Sequence, residues 1–249
     1  MRTSLAKLAL THALANALLL WLGYYWLGLG EGRAAALSWS ALVALALVCL
    51  GSWCYGAAFL YFDPATRASV LGAWRTALRH LFPLAVAAVF LVVLYFALDS
   101  LTASRDSWAA KTASWFTLKL RKPVRPAAVL RAFEIALWML RWMVLPVLWL
   151  PMVAGIAALG WRGFRALGSR WRKPLYWVEV PVLLLISVWL PLKLLAWVPE
   201  AAGFRLQMAS FVARAAAAYL FFVAGWLAIA FVTSGGKPRL TQSKIAVSP

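Results

Sequence analysis

The sequence predicts an all-α, polytopic integral membrane bundle, with about six transmembrane helices and one or two interfacial amphipathic helices. Three observations carry that expectation. Apolar residues make up 65% of the 249 positions and charged ones 13%, against about 45–50% and about 25% in ordinary globular domains. The apolar excess falls in runs of roughly 18–25 residues, the length that crosses about 30 Å of hydrocarbon at 1.5 Å per residue. Many of the 25 Lys and Arg and of the 16 Trp stand at the ends of these runs. There cations meet anionic headgroups and indoles anchor at the interface. The expected organisation is one membrane domain over residues 1–235 and a polar tail over 236–249.

The first run, 8–29, follows a short basic segment that ends at Lys7. A signal peptide is the rival reading. The run is too long for its apolar region, and Trp21, Tyr24, Tyr25 and Trp26 form an interfacial belt where a cleavage site would need small residues. The run is therefore read as a retained first span with a cytoplasmic N-terminus. On its surface His12 and Asn16 share one face, four residues apart, which suits hydrogen bonding across a helix interface.

The second span, 34–62, carries no charge. Ser52 and Gly56 form a small-xxx-small pair that favours close helix approach. Cys49 and Cys54, five residues apart, point about 140° from each other on a helix, so they neither bridge nor make a metal site. Asp63-Pro64 ends this helix. Residues 65–80 alternate Arg67, Arg75 and Arg79 with Val70, Leu71, Trp74 and Leu78, the pattern of an amphipathic helix at the interface. The third span is 81–98.

Residues 99–118 are too polar for a plain span, and read either as an external interfacial helix or as a short buried segment. From Lys119 to Lys173 the chain holds eleven Lys and Arg against one acid, Glu134. Two basic clusters flank the fourth span, 135–160, in which Pro146 and Pro151 fall. The fifth span, 175–198, contains Pro181 and Pro191, and the sixth covers 209–233. There Ala209, Ala213, Ala217 and Gly225 make a row of small residues expected to pack closely on a neighbour. A weak repeat links VLGAWRTALRHL (70–81) to VLRAFEIALWML (129–140), identical at six of twelve positions and each leading into a span with a proline.

With six simple spans and the N-terminus inside, thirteen Lys and Arg lie inside and nine outside, leaving aside Arg141, Lys193 and Arg214 within the spans. The sign is right for the positive-inside rule but the bias is poor. An alternative returns 102–118 through the membrane and makes 132–160 a re-entrant hairpin bent at its prolines. That puts irregular backbone at membrane depth, which is tolerated only when buried in protein or lining a cavity. Six simple spans are preferred, because Trp142 to Trp161 is long enough to cross without a charge.

Charges at membrane depth are the functional candidates, because burying them in lipid is expensive. Arg141, between Trp138 and Trp142, reads as an anion or headgroup contact, or as an arginine snorkelling to the interface. Glu134 suits Arg131 at i−3. Glu179 reads as a proton or cation site, or as a helix-start acid favoured by the helix dipole. Lys193 and Arg214 read as snorkelling. Prolines in two consecutive spans fit a transport site or ordinary kinks. No nucleophile elbow, phosphate loop or metal-ligand motif occurs, so no catalytic residue, metal or cofactor is expected. The charge of +18, placed at span ends, points to anionic lipid and away from nucleic acid.

The stretches RASVLGAWRTALRHLFP and KPVRPAAVLRAFEIALWML are similar in style to six-helix bacterial membrane proteins, in particular to the membrane domain fused to some glycerophosphodiester phosphodiesterases. The catalytic domain of those enzymes has no counterpart here, so the resemblance implies no activity and no site residue. The function expected is a non-enzymatic scaffold or accessory subunit of a bacterial-type inner membrane. It would pack against anionic lipid, other subunits or further copies of itself. A small transporter or lipid-handling permease working through spans four and five is the alternative. The six-span arrangement predicts that a topology reporter fused after Lys122 reads external; a cytoplasmic signal would exclude it.

Overall fold

Hydrocarbon offers a backbone amide no partner, so a chain this apolar must satisfy its N–H and C=O groups inside helices. The computed structural model describes residues 2–30, 32–66, 68–165, 174–199 and 203–235. Its regular structure is entirely helical, with no strand among the described residues. Six helical stretches are long and apolar enough to cross a membrane: Thr3–Leu27, Ala34–Phe62, Leu81–Ala103, Pro126–Arg165, Tyr176–Ala196 and Phe204–Ser234. They correspond to the predicted spans, with the third continuing to Ala103, the fourth opening at Pro126 and the sixth opening at Phe204. These six fit a multi-pass membrane protein. The tail, 236–249, the last three members of the second basic cluster, Arg170, Arg172 and Lys173, and Arg67 of the predicted amphipathic helix lie outside the described residues.

Helix α1 is Arg2–Leu27 and α2 is Ala34–Phe62. Helix α2 stops where expected: Asp63 turns extended, its carboxylate accepts from the Ala65 amide at 3.1 Å, and the Thr66 hydroxyl donates to the Leu60 carbonyl at 2.8 Å. Helix α3, Val70–Arg79, is capped by the Ser69 hydroxyl, which accepts from the Gly72 amide. It packs on α2 through a small-residue face, with Ala73 and Ala77 buried, while Leu71 and Leu78 of the expected apolar stripe are exposed. Helix α4 is Leu81–Ala103. Its Pro83 falls in the first turn, where a missing donor is harmless.

Residues 99–118, ambiguous in the sequence, resolve into the end of α4 and a separate helix, α5 (Arg105–Leu120). Its Ala109 and Ala113, one turn apart, are its buried residues. Helix α6 is Pro126–Met139, opening on proline at a position that needs no donor. It continues through a π turn, Leu140–Val144, into α7, Leu145–Leu159, and a 3₁₀ turn, Gly160–Arg165. The stretch is continuous helix of varying pitch. The re-entrant hairpin over 132–160 is therefore absent, and Pro146 and Pro151 are absorbed without a reversal. Helix α8, Tyr176–Leu184, passes through a second π turn, Leu185–Trp189, into α9, Leu190–Ala196; α10 is Phe204–Ser234.

Both π turns end two residues before a proline, Pro146 and Pro191. A proline clashes with the carbonyl four residues back and cannot donate to it. Widening the turn to i−5 bonding relieves that clash. The amides of Leu145 and Leu190 accordingly donate to the carbonyls of Leu140 and Leu185.

The chain forms two compact units, residues 1–86 with 150–249, and residues 87–149. In the first, α10 packs against α1, α2, α8, the second π turn and α9. Close approach is set by glycine. A side chain at Gly225 would overlap Cβ of Ser187 and come within 3.0 Å of its Cα, and one at Gly56 would meet the tip of Leu84 at 2.8 Å. The second unit consists of the later part of α4, α5, α6, the first π turn and the start of α7. Here α5 and α6 run antiparallel: the Val124 amide donates to the Thr117 hydroxyl at one end and Arg105 faces Glu134 at the other.

These contacts predict that Gly225→Ala lowers stability by about 1–3 kcal/mol, the usual range for overpacking. Gly56→Ala should cost less, because the obstacle is a flexible side-chain tip. Thermal midpoints in detergent measure both, and an unchanged midpoint for Gly225→Ala would remove the close approach at Ser187.

Candidate functional site

The second unit brings the predicted residues Arg141 and Glu134 to one cleft. Successive turns of α4 present Leu98 and Thr102, and Arg105 follows at the start of α5. Glu134, Leu137, Trp138, Arg141 and Trp142 recur at helical spacing along α6 and the π turn, and complete a cleft of about 190 Å³. The sequence periodicity of 3.6 places these residues on facing sides.

Arg141 is held in three ways. Its guanidinium donates to the Asp99 carboxylate, its charge stands 5.9 Å from the centre of the Tyr95 ring, and its backbone carbonyl accepts from the Tyr95 hydroxyl at 2.9 Å. The last bond has a local cause. In i−5 register the donor for that carbonyl would be the amide of Pro146, which has no hydrogen. Tyr95 supplies the donor instead, as membrane helices require of backbone groups freed by proline.

Arg105 is held more loosely. It lies 3.6 Å from Glu134 and 3.6 Å from Asp106, beyond hydrogen-bonding distance. Glu134 thus pairs with Arg105, and its expected partner Arg131 is exposed. The sequence did not flag Asp99, Arg105 or Tyr95. A pair separated by 42 residues leaves no local signature; the only hint was that Asp99 ends a span with Arg141 near the start of the next.

Glu179 lies in the first unit, half-buried in the first turn of α8, as the helix-dipole reading expects. It makes no ion pair among the described residues. Lys193 stands 5.6 Å over the Trp189 ring. Arg214 departs from the snorkelling expectation. It is 9% exposed, and its guanidinium donates to the carbonyls of Leu194, Leu195 and Trp197 at the end of α9. It caps orphan carbonyls and complements the helix dipole.

Of the predicted packing residues, Gly56 and Gly225 are buried and Ser52 is half-buried. Ala217 is half-buried, and Ala209 and Ala213 are exposed. The buried face of α10 runs through Arg214, Ala218, Gly225 and Ile229. The predicted row is thus corrected at its first two members: Arg214 must face the α9 carbonyls, and this rotates Ala213 and Ala209 outward.

The first unit also holds a buried polar cluster among α1, α2 and α10. His12 Nδ1 lies 3.1 Å from Cys54 Sγ, the Tyr55 hydroxyl donates to Asn16 Oδ1 at 2.8 Å, and the Tyr219 hydroxyl donates to the Ala13 carbonyl. His12 and Asn16 both bond across to α2, as their shared face implied, and within α1 the Asn16 amide also donates to the His12 carbonyl at 2.8 Å. His12 Nε2 and Trp226 Nε1 are buried without a partner. No group of three metal-ligating side chains occurs among the described residues. The chain matches no protein-family model, no curated protein and no solved structure, so the site is read from its own geometry.

The Asp99–Arg141 pair is part-exposed, with Asp99 at 59% and Arg141 at 27%. A double-mutant cycle of Asp99→Asn and Arg141→Gln should give a coupling of about 1 kcal/mol, the upper range for such pairs. Additive losses in unfolding measurements would show the pair to be energetically idle.

Proposed function

We propose that the chain is a non-enzymatic, membrane-embedded scaffold or accessory subunit. It sits in a bacterial-type inner membrane with its N-terminus in the cytoplasm. It packs against anionic lipid and against other helices, whether those of partner subunits or of further copies of itself. One observation supports this most directly: the charges at membrane depth hold helices. Arg141 ties α4 to the π turn, and Arg214 closes the end of α9. A charge used this way is structural, as intramembrane charges are when they pair or bind carbonyls. Helix α6 supports the partner reading, since none of its residues is buried although it carries Ile135, Trp138 and Met139.

One observation favours the permease reading. Spans four and five each carry a π turn set by proline, and such turns are frequent at functional sites. The broken ladder frees carbonyls that bind substrate or ions in transporters.

Extraction in polymer nanodiscs, followed by mass spectrometry of what co-purifies, separates the two. A stoichiometric protein partner or a defined homo-oligomer is the expected outcome. An isolated chain, whose Arg141→Gln or Glu179→Gln variant folds but loses uptake or efflux, would replace the scaffold by the permease.

A further inference from the structure

We propose that the cleft of the second unit binds the headgroup of a zwitterionic aminophospholipid, with its phosphate at Arg105 and Arg141 and its ammonium at Glu134. The inference goes beyond the scaffold reading and rests only on the chain's residence in a membrane; it turns on retained lipid, whereas the scaffold turns on retained protein.

Arg105 supplies the first argument. It lines the cleft, and both its carboxylate neighbours stand at 3.6 Å. A guanidinium has five N–H donors in a planar fork that suits phosphate oxygens, and these contacts leave the fork open to a ligand. Arg141 borders the same cleft with its charge partly met by Asp99. Charge balance supplies the second argument. Three of the residues lining the cleft are charged, Arg105, Arg141 and Glu134; Asp99 and Asp106, outside that lining, neighbour Arg141 and Arg105, so the cleft presents both signs. A purely anionic headgroup would be drawn to the arginines and repelled by Glu134. A phosphoethanolamine group meets both signs, and its primary ammonium brings three donors to a carboxylate.

Size and lining supply the third. At about 190 Å³ the cleft is smaller than the roughly 300 Å³ needed for a drug-sized ligand. It suits a small polar group whose chains lie outside. Leu98, Leu137 and Trp142 give the apolar wall along which acyl chains would leave, and indoles favour headgroup depth. That wall distinguishes a lipid from free phosphoethanolamine.

The full chain would be placed in nanodiscs with equal phosphatidylethanolamine, phosphatidylglycerol and phosphatidylcholine, then stripped stepwise and weighed intact by native mass spectrometry. Phosphatidylethanolamine should be the lipid retained, with a preference of roughly tenfold, the ratio expected for one charged hydrogen bond. Arg105→Gln should lower its retention by a similar factor. Glu134→Gln should keep phospholipid bound and erase the preference over phosphatidylglycerol, an effect that misfolding would not produce. Equal retention of the three lipids, or a preference for phosphatidylglycerol in the unaltered chain, would overturn the proposal. So would a phosphatidylethanolamine preference that survives Glu134→Gln. Displacement of the lipid by equimolar soluble glycerophosphoethanolamine would overturn the assignment to a membrane lipid.

Discussion

Every backbone carbonyl inside the hydrocarbon needs a donor, and in this chain proline repeatedly removes one. Pro146 and Pro191 are each preceded by a π turn that moves the ladder to i−5. The shift relieves the clash but strands a carbonyl. At Arg141 the orphan is met by the Tyr95 hydroxyl of another helix. At the end of α9, where the helix simply stops, Arg214 meets three carbonyls. A backbone defect in one helix thereby dictates a side chain on another. This fixes which faces meet: Tyr95 orients α4 towards the π turn, and Arg214 orients α10 towards α9.

The same demand explains why two kinds of polar residue occur in so apolar a chain. In the first unit, His12 is bonded to Cys54 and Asn16 to Tyr55 between α1 and α2. Apolar packing alone specifies register weakly, because lipid tails are as apolar as leucine. A misregistered α1 would separate Asn16 from Tyr55 and leave both polar groups in hydrocarbon. In the second unit charged residues are paired across helices, Arg141 with Asp99 and Arg105 with Glu134.

Six helices long and apolar enough to cross a membrane were legible, because length and hydropathy depend on local composition, and so was the helix stop at Asp63-Pro64. The segment 99–120 was ambiguous for a physical reason. Its helix has a small-residue face, Ala109 and Ala113, on an otherwise mixed surface, and composition cannot tell an interfacial helix of this kind from a short buried one. The face of α10 was misjudged because spacing of small residues ignores Arg214, whose need for carbonyls sets the rotation. Arg141 and Glu134 were legible as isolated charges. Their partners Asp99 and Arg105 were not, since pairing across a helix connection depends on three-dimensional register that a single sequence does not display. The sequence favours a continuous fourth span over 135–160; what it does not display is the π turn by which that helix accommodates Pro146.

The two arginines of the cleft differ in what a ligand can take from them. Arg141 is bound by a carboxylate and a ring, and its own backbone is pinned, so moving it would disturb the π turn as well. Arg105 has only long contacts at 3.6 Å, of the exposed kind that contribute about 0–1 kcal/mol. A ligand that replaces them gives up little and gains charge-assisted hydrogen bonds, which are shorter and roughly twice as strong as neutral ones. Arg105 is therefore the exchangeable donor and Arg141 the fixed one. A ligand held chiefly by Arg105 can enter without breaking the pair that joins α4 to the π turn. The cleft can thus fill or empty while the helices that frame it stay in register.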